Sequence, residues 1–149
     1  MPKAARAYWM IVTSRANFDR TKALGFKQQG MKKRHLRKAE RMAPGDGICW
    51  YVTGHQAFAA TGTIASEFFE SSEAIWVSDG APDPYPWRVR VKKDRVLTPE
   101  RGVRAETLVP KLQFVRKWPK ASWRLAFQGN VHELPPSDYA LIARAVARA

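Results

Sequence analysis

The chain has 149 residues, with 26 Lys and Arg against 13 Asp and Glu, a formal net charge of +13, and 45% hydrophobic residues. This is one domain of globular composition, which excludes a wholly disordered chain, and its positive excess points to a polyanionic partner, nucleic acid above all. No apolar run approaches the ~20 residues that cross a bilayer. The basic stretch from Met1 to Tyr8 lacks the apolar core of a secretory signal. The single cysteine, Cys49, leaves neither a disulfide framework nor a Cys-rich zinc site. The expectation is a cytoplasmic protein with no membrane partner, no metal and no cofactor.

In chain order, residues 8–12 (Tyr-Trp-Met-Ile-Val) are aromatic and β-branched and predict a buried first strand. Asn17 and Gly25 bracket residues 18–24 as N-cap and C′ glycine of a short helix. Gly30 ends a loop, and residues 31–42 predict a helix with a narrow apolar stripe, stopped by Pro44-Gly45-Asp46. Residues 48–52 and 57–66 predict a hairpin turned at Thr53-Gly54-His55-Gln56. Residues 87–96 predict a strand that opens with strict alternation, Trp87, Val89 and Val91 against Arg88, Arg90 and Lys92, so one face is apolar and the other basic. A turn at residues 98–102, a weak helix at 106–112 broken by Pro110, a last strand at 123–131 interrupted by Gly129, and a closing helix at 138–149 complete the chain. Strands outnumber helices and arrive in hairpins. The fold class that follows is α+β, a mainly antiparallel sheet or barrel flanked by helices, in a single domain over residues 1–149 with its core at about 8–142.

The positive charge is clustered. Residues 27–41 hold Lys27, Lys32, Lys33, Arg34, Arg37, Lys38 and Arg41 opposed only by Glu40, and Arg88, Arg90, Lys92, Lys93 and Arg95 form a second group. Residues 66–86 hold Glu67, Glu70, Glu73, Asp79 and Asp83 and no Lys or Arg. A basic helix face serves solubility or tracks phosphates with salt-sensitive affinity; two clusters on separate elements favour the second. Trp9, Trp50 and Phe58 lie in strand-like runs and belong to the core. Trp76 lies in a loop that Tyr85-Pro86-Trp87 closes. It either covers the open end of the barrel or joins Tyr85 and Trp87 in clamping a flat ring.

Chemistry-bearing constellations are scarce. His35, His55 and His132 have no metal-ligand spacing, and Cys49 reads as a buried structural cysteine although His55 follows six residues on. Phosphate-loop, dinucleotide and nucleophile-elbow motifs are all missing from the sequence. These residues argue for a binding protein rather than an enzyme.

The order and spacing of Tyr8-Trp9-Met10-Ile11-Val12-Thr13-Ser14, Asn17-Phe18, Gly25-Phe26, Pro44-Gly45-Asp46, Tyr51-Val52-Thr53-Gly54, Ile75-Trp76, Pro84-Tyr85-Pro86-Trp87-Arg88-Val89 and Phe127-Gln128-Gly129 resembles the EVE domain. The EVE domain belongs to a PUA-like group related to the YTH and ASCH domains. The resemblance implies a PUA-like mixed or antiparallel β-barrel with a pocket for one flipped, modified base of DNA or RNA. It implies a base pocket of Phe26, Trp76, Tyr85 or Trp87 as aromatic walls, with Ser14 and Asn17 at the base edge. Lys32, Lys33, Arg34 and Arg37 would lie beside the phosphates, as would Arg88 and Arg90 from the second cluster. Gln128-Gly129-Asn130 stands where the pattern carries a positive charge. The resulting expectation is a reader of a modified, methylated base. The alternatives are an ASCH-like hydrolase of a modified nucleoside drawing on Thr53, Lys92 and Glu67, and a general RNA-binding accessory without base preference.

Overall fold

The computed structural model describes residues 6–78, 81–82 and 85–149. Residues 1–5 of the basic N-terminal stretch, and Asp79, Gly80, Asp83 and Pro84 of the expected Trp76 loop, lie outside the described residues. The chain runs β1 (Tyr8–Thr13), α1 (Arg15–Ala23), β2 (Gln28–Met31), a 3-10 turn (Lys33–His35) leading into α2 (Leu36–Arg41), β3 (Gly47–Val52), β4 (Ala57–Ile64), β5 (Phe69–Glu70), β6 (Val77–Ser78), β7 (Ala81–Pro82), β8 (Trp87–Val96), β9 (Val103–Arg104), α3 (Ala105–Leu108), β10 (Val131–Glu133) and α4 (Pro136–Arg148). Eight strands share one sheet ordered β10-β1-β3-β4-β8-β2, with β5 also on β8 and β9 on β4. β1 and β3 pair in parallel, Tyr8 opposite Gly47, and the remaining pairs of this sheet are antiparallel. The sheet is mixed and curls into a half-barrel with helices against it, the α+β class expected from the sequence.

Why β1 and β3 read as unbroken apolar runs follows from burial on both faces. Successive side chains of a strand point to opposite sides. Trp9, Ile11, Ile48, Trp50 and Val52 enter a core with Phe18, Phe26 and Val89, while Met10, Val12, Cys49 and Tyr51 enter a second core with Phe58, Phe127, Ile142 and Val146. Trp9, Trp50 and Phe58 are each fully buried, as the strand pattern required. Cys49 is also fully buried, and burial pushes its thiol far above the ordinary range, so it is inert packing.

Four local expectations are corrected. The N-cap of α1 is Ser14, whose Oγ accepts from Asn17 N at 3.1 Å, so Asn17 sits inside the helix. Residues 28–31 are a strand because their backbone pairs with β8, and the helix expected at 31–42 shortens to a 3-10 turn and α2. Residues Lys120–Phe127 coil as 3-10 turns rather than a strand, and only Val131–Glu133 pairs with β1. The basic face of β8 is interrupted at its start: Arg88 is fully buried while Arg90 is exposed. Gly30 pairs directly with Arg88, and the Trp76 ring lies over that pair.

Candidate functional site

A pocket of about 190 Å³ opens where the end of β1, the start of α1, β2 and the segment around β6 meet. At roughly 30 Å³ per water this is the room of about six waters, the scale of one flat ring system and not of a strand. Ser14, Asn17, Lys32, Trp76 and Tyr85 line it, and so do Gln29 and Asn130. A larger and shallower depression of about 510 Å³ beside Tyr139 and Asp94 is lined by none of the expected site residues.

Trp76 is 1% exposed and is held from three sides. Its Nε1 donates to Thr21 Oγ1 at 2.9 Å, and the Arg88 guanidinium lies 5.0 Å from its ring centroid. A Cβ on Gly30 would stand 2.4 Å from Trp76 Cζ3, so the ring occupies the space that any side chain there would fill. Arg88 in turn donates through Nε to Tyr85 O at 3.2 Å and through a terminal nitrogen to Glu73 O. Burial lowers its pKa, opposed by Glu73. A cation behind an indole face polarises that ring, so Arg88 acts here as a support for the pocket wall. Tyr85 closes the other side, tilted 46° to Trp76 with centroids 5.9 Å apart. Its φ of +42° is left-handed, a conformation that non-glycine residues adopt at a cost and that concentrates at functional sites. Lys32 Nζ sits 5.7 Å over the Tyr85 ring and donates to Ser78 Oγ at 3.1 Å.

The polar groups divide into supports and free donors. Asn17 mimics a strand partner: its Oδ1 accepts from Val77 N at 2.9 Å, and its Nδ2 donates to Val77 O at 2.7 Å and to Tyr85 Oη at 3.3 Å. It latches β6 and Tyr85 in place rather than presenting its amide to a base. Gln29 is similarly engaged, with Oε1 accepting from Trp50 Nε1 at 2.7 Å and Nε2 donating to Gly30 O at 2.8 Å. Asn130 differs. Its Oδ1 accepts from Lys32 N at 3.0 Å, and its amide NH₂ makes no hydrogen bond among the described residues. Exposed Ser14, whose Oγ caps α1, keeps its hydroxyl hydrogen for the pocket mouth.

The remaining expected residues lie elsewhere. Phe26 does not line the pocket; it packs in the core, edge-on to Trp50 at 5.2 Å and to Phe18 at 5.4 Å. Trp87 is also outside the pocket; its Nε1 donates to Lys33 O at 2.8 Å and its ring meets the edge of Phe68. Arg88 is too deeply buried for a phosphate to reach. Lys33, Arg34 and Arg37 lie on the turn and helix that follow Lys32, and Arg90 is exposed with its guanidinium over Phe69. Sequence reasoning missed Asn130 and Gln29. The pair Gly129-Asn130, with Gly129 at φ +88°, is a turn signal, although in the sequence it passes for a break in a strand. None of Thr53, Lys92 and Glu67 lines the pocket. Among the described residues no group of three or more His, Cys, Asp and Glu could hold a metal ion.

The basic segment carries its own pH dependence. Burial first, then Lys38, Arg34, His132 and Lys32, push the His35 imidazole down to about 4. The unfolded imidazole titrates near ~6.5. Below that pH the unfolded chain binds the proton and the folded one does not, so stability falls as pH drops from about 6.5 toward 4. A lower Tm at about pH 5 than at about pH 7.5 is expected, with a smaller drop in His35→Gln, measured by thermal denaturation across pH. An equal drop in both proteins would assign it to other groups.

Comparison with known proteins agrees with this architecture. The family model described as the EVE domain matches residues 7–145. A UPF0310 protein of Pyrococcus abyssi is 27% identical over 145 residues, covering 91% of this chain and 96% of that protein. Among solved structures, the Toxoplasma CPSF4-YTH domain in apo form superposes with a TM-score of 0.66 at 12% identity, over 99% of this chain and 90% of that one. The YTH domain of Zygosaccharomyces rouxii MRB1 protein, in complex with N6-methyladenosine RNA, gives 0.64 at 14% identity, over 98% and 87%. At these identities the structural likeness speaks for the fold.

Proposed function

Because the chain belongs to the EVE domain family, we propose that it is a nucleic-acid-binding module that receives one modified base in the Trp76–Tyr85 pocket and performs no chemistry on it. The observation that carries this reading is a pocket the size of one ring system, walled by two aromatic side chains, with the donors of Asn130, Ser14 and Lys32 at its rim. The cations Lys33, Arg34 and Arg37 follow directly after Lys32. Division of labour follows from the chemistry. The cations contribute affinity that ignores sequence and weakens with salt. The pocket contributes discrimination, since each added methyl buries apolar area at ~0.8 kcal/mol per carbon group and the donors meet acceptors on the edge of an unstacked base. A like-folded protein was solved with N6-methyladenosine RNA, which supports trying a methylated base first.

The test is a titration with free nucleosides, plain and methylated, followed by tryptophan emission and by calorimetry, alongside oligonucleotides with and without the modification. Saturable binding of one methylated nucleoside, tighter than its plain counterpart, is expected. Lys33→Ala with Arg37→Ala should weaken both oligonucleotides equally and lower the salt slope by about 1 for each phosphate no longer neutralised. Asn130→Ala should narrow the gap between them. Salt-dependent oligonucleotide binding without any nucleoside binding would overturn the pocket reading and leave a basic surface as the whole function.

A further inference from the structure

Residues 107–132 contain no Asp or Glu and hold Lys111, Arg116, Lys117, Lys120 and Arg124, all exposed. None of these cations forms an ion pair among the described residues. Within this segment lies a groove of about 420 Å³ whose lining is mainly apolar, with Val109, Val115, Trp118 and Trp123 beside Arg116 and Lys120. Trp118 is 37% exposed, an unusual placement for the largest apolar side chain. Its neighbour Trp123 is fixed edge-on to Phe127 at 5.6 Å, under the Arg124 guanidinium at 4.7 Å. The segment is anchored at its start, where the buried Asp138 carboxylate accepts from Gln113 N and Phe114 N at 2.9 Å. The groove is therefore a supported platform and not a frayed loop.

The groove and one wall of the pocket belong to one stretch of chain: Trp118 and Trp123 precede Asn130, which lines the pocket, by 12 and 7 residues. We propose that the Trp118–Trp123 groove is a second base-stacking subsite, which takes an unpaired nucleotide of the strand whose base enters the pocket. This rests on the nucleic-acid reading of that pocket. An exposed indole in a groove that Arg116 and Lys120 also line, with Arg124 over its neighbour, matches a ligand that carries both flat apolar rings and regular negative charge. A double helix does not fit the match, because its bases are already stacked on one another. An apolar protein segment does not fit it either, because it offers nothing to the surrounding cations.

The test uses the full chain and labelled single-stranded oligomers of DNA and of RNA, a blunt duplex, and phosphatidylserine vesicles. Trp118→Ala is expected to weaken single-strand binding by roughly 5- to 100-fold, with Trp118→Phe recovering most of it. Duplex affinity and calorimetric nucleoside binding should not change, since Trp118 is not in the pocket. The proposal is overturned if Trp118→Ala binds single strands like the parent. It is overturned equally if the residue instead governs vesicle binding, or self-association seen by sedimentation. A parent protein that takes no nucleoside, with a Trp118→Ala variant that still loses single-strand affinity, would refute the pocket reading and support the groove.

Discussion

Gly30→Ala is expected to fold with a Tm roughly 5–10 °C lower and to bind a nucleoside at least about tenfold more weakly than the parent. Gly30 is needed for space. In β2 it faces Trp76, and an added Cβ would lie 2.4 Å and 2.7 Å from two carbons of the indole and 3.0 Å from Tyr85 Cβ. Approaches that short force a shift, and the groups that would shift are the two aromatic walls of the pocket. Overpacking of this kind costs about 1–3 kcal/mol. The displaced indole would also lose its bond to Thr21 and its seat on Arg88. Thermal denaturation and nucleoside calorimetry on the same preparation check both halves. Parent-like values in both would mean that Trp76 does not rest on Gly30.

Asp46→Ala should destabilise the domain by about 3 kcal/mol or more, read by urea or thermal unfolding. Asp46 is 1% exposed, and its carboxylate accepts from Ala7 N at 3.1 Å, Trp9 Nε1 at 3.0 Å and Ala43 N at 3.1 Å. Removing it strands these donors, the fully buried indole N–H of Trp9 above all, at about 1–3 kcal/mol each. Asp46→Asn keeps one acceptor oxygen and should fall between. A loss under about 1 kcal/mol for Asp46→Ala would mean that water replaces the carboxylate. This effect falls on stability alone, since Asp46 does not line the pocket.

The two predictions rest on positions of different legibility. β1, β3, β8 and α4 stand out in the sequence because their burial is periodic or continuous, and the family resemblance runs through the same stretches. β2 does not stand out. Gln28-Gln29-Gly30 looks like a loop, and only the pairing with β8 and the bond from Trp50 to the Gln29 amide explain a polar strand in the core. Trp76 and Tyr85 are legible as a pair of loop aromatics. Phe26 is not separable from them by sequence, because an aromatic after a glycine carries no mark of whether it faces a ligand or Trp50. Arg88 follows the basic alternation of its strand, and nothing local reveals that a distant indole lies over it. The Asn17 amide has the right chemistry for a base edge, but its hydrogen-bonding capacity is taken by the backbone of Val77, far along the chain.

The pocket walls come from five stretches of chain, around Ser14, Gln29, Trp76, Tyr85 and Asn130. None of these stretches can form the pocket alone or with a sequence neighbour. Closing it requires β2 to find β8 and β10 to find β1, pairings whose large sequence separation makes them slow to form. A nascent or partly unfolded chain therefore has no pocket, and occupancy reports on the entire fold. A bound base would act as a staple across the whole domain, raising its global unfolding free energy by mass action rather than quieting one loop.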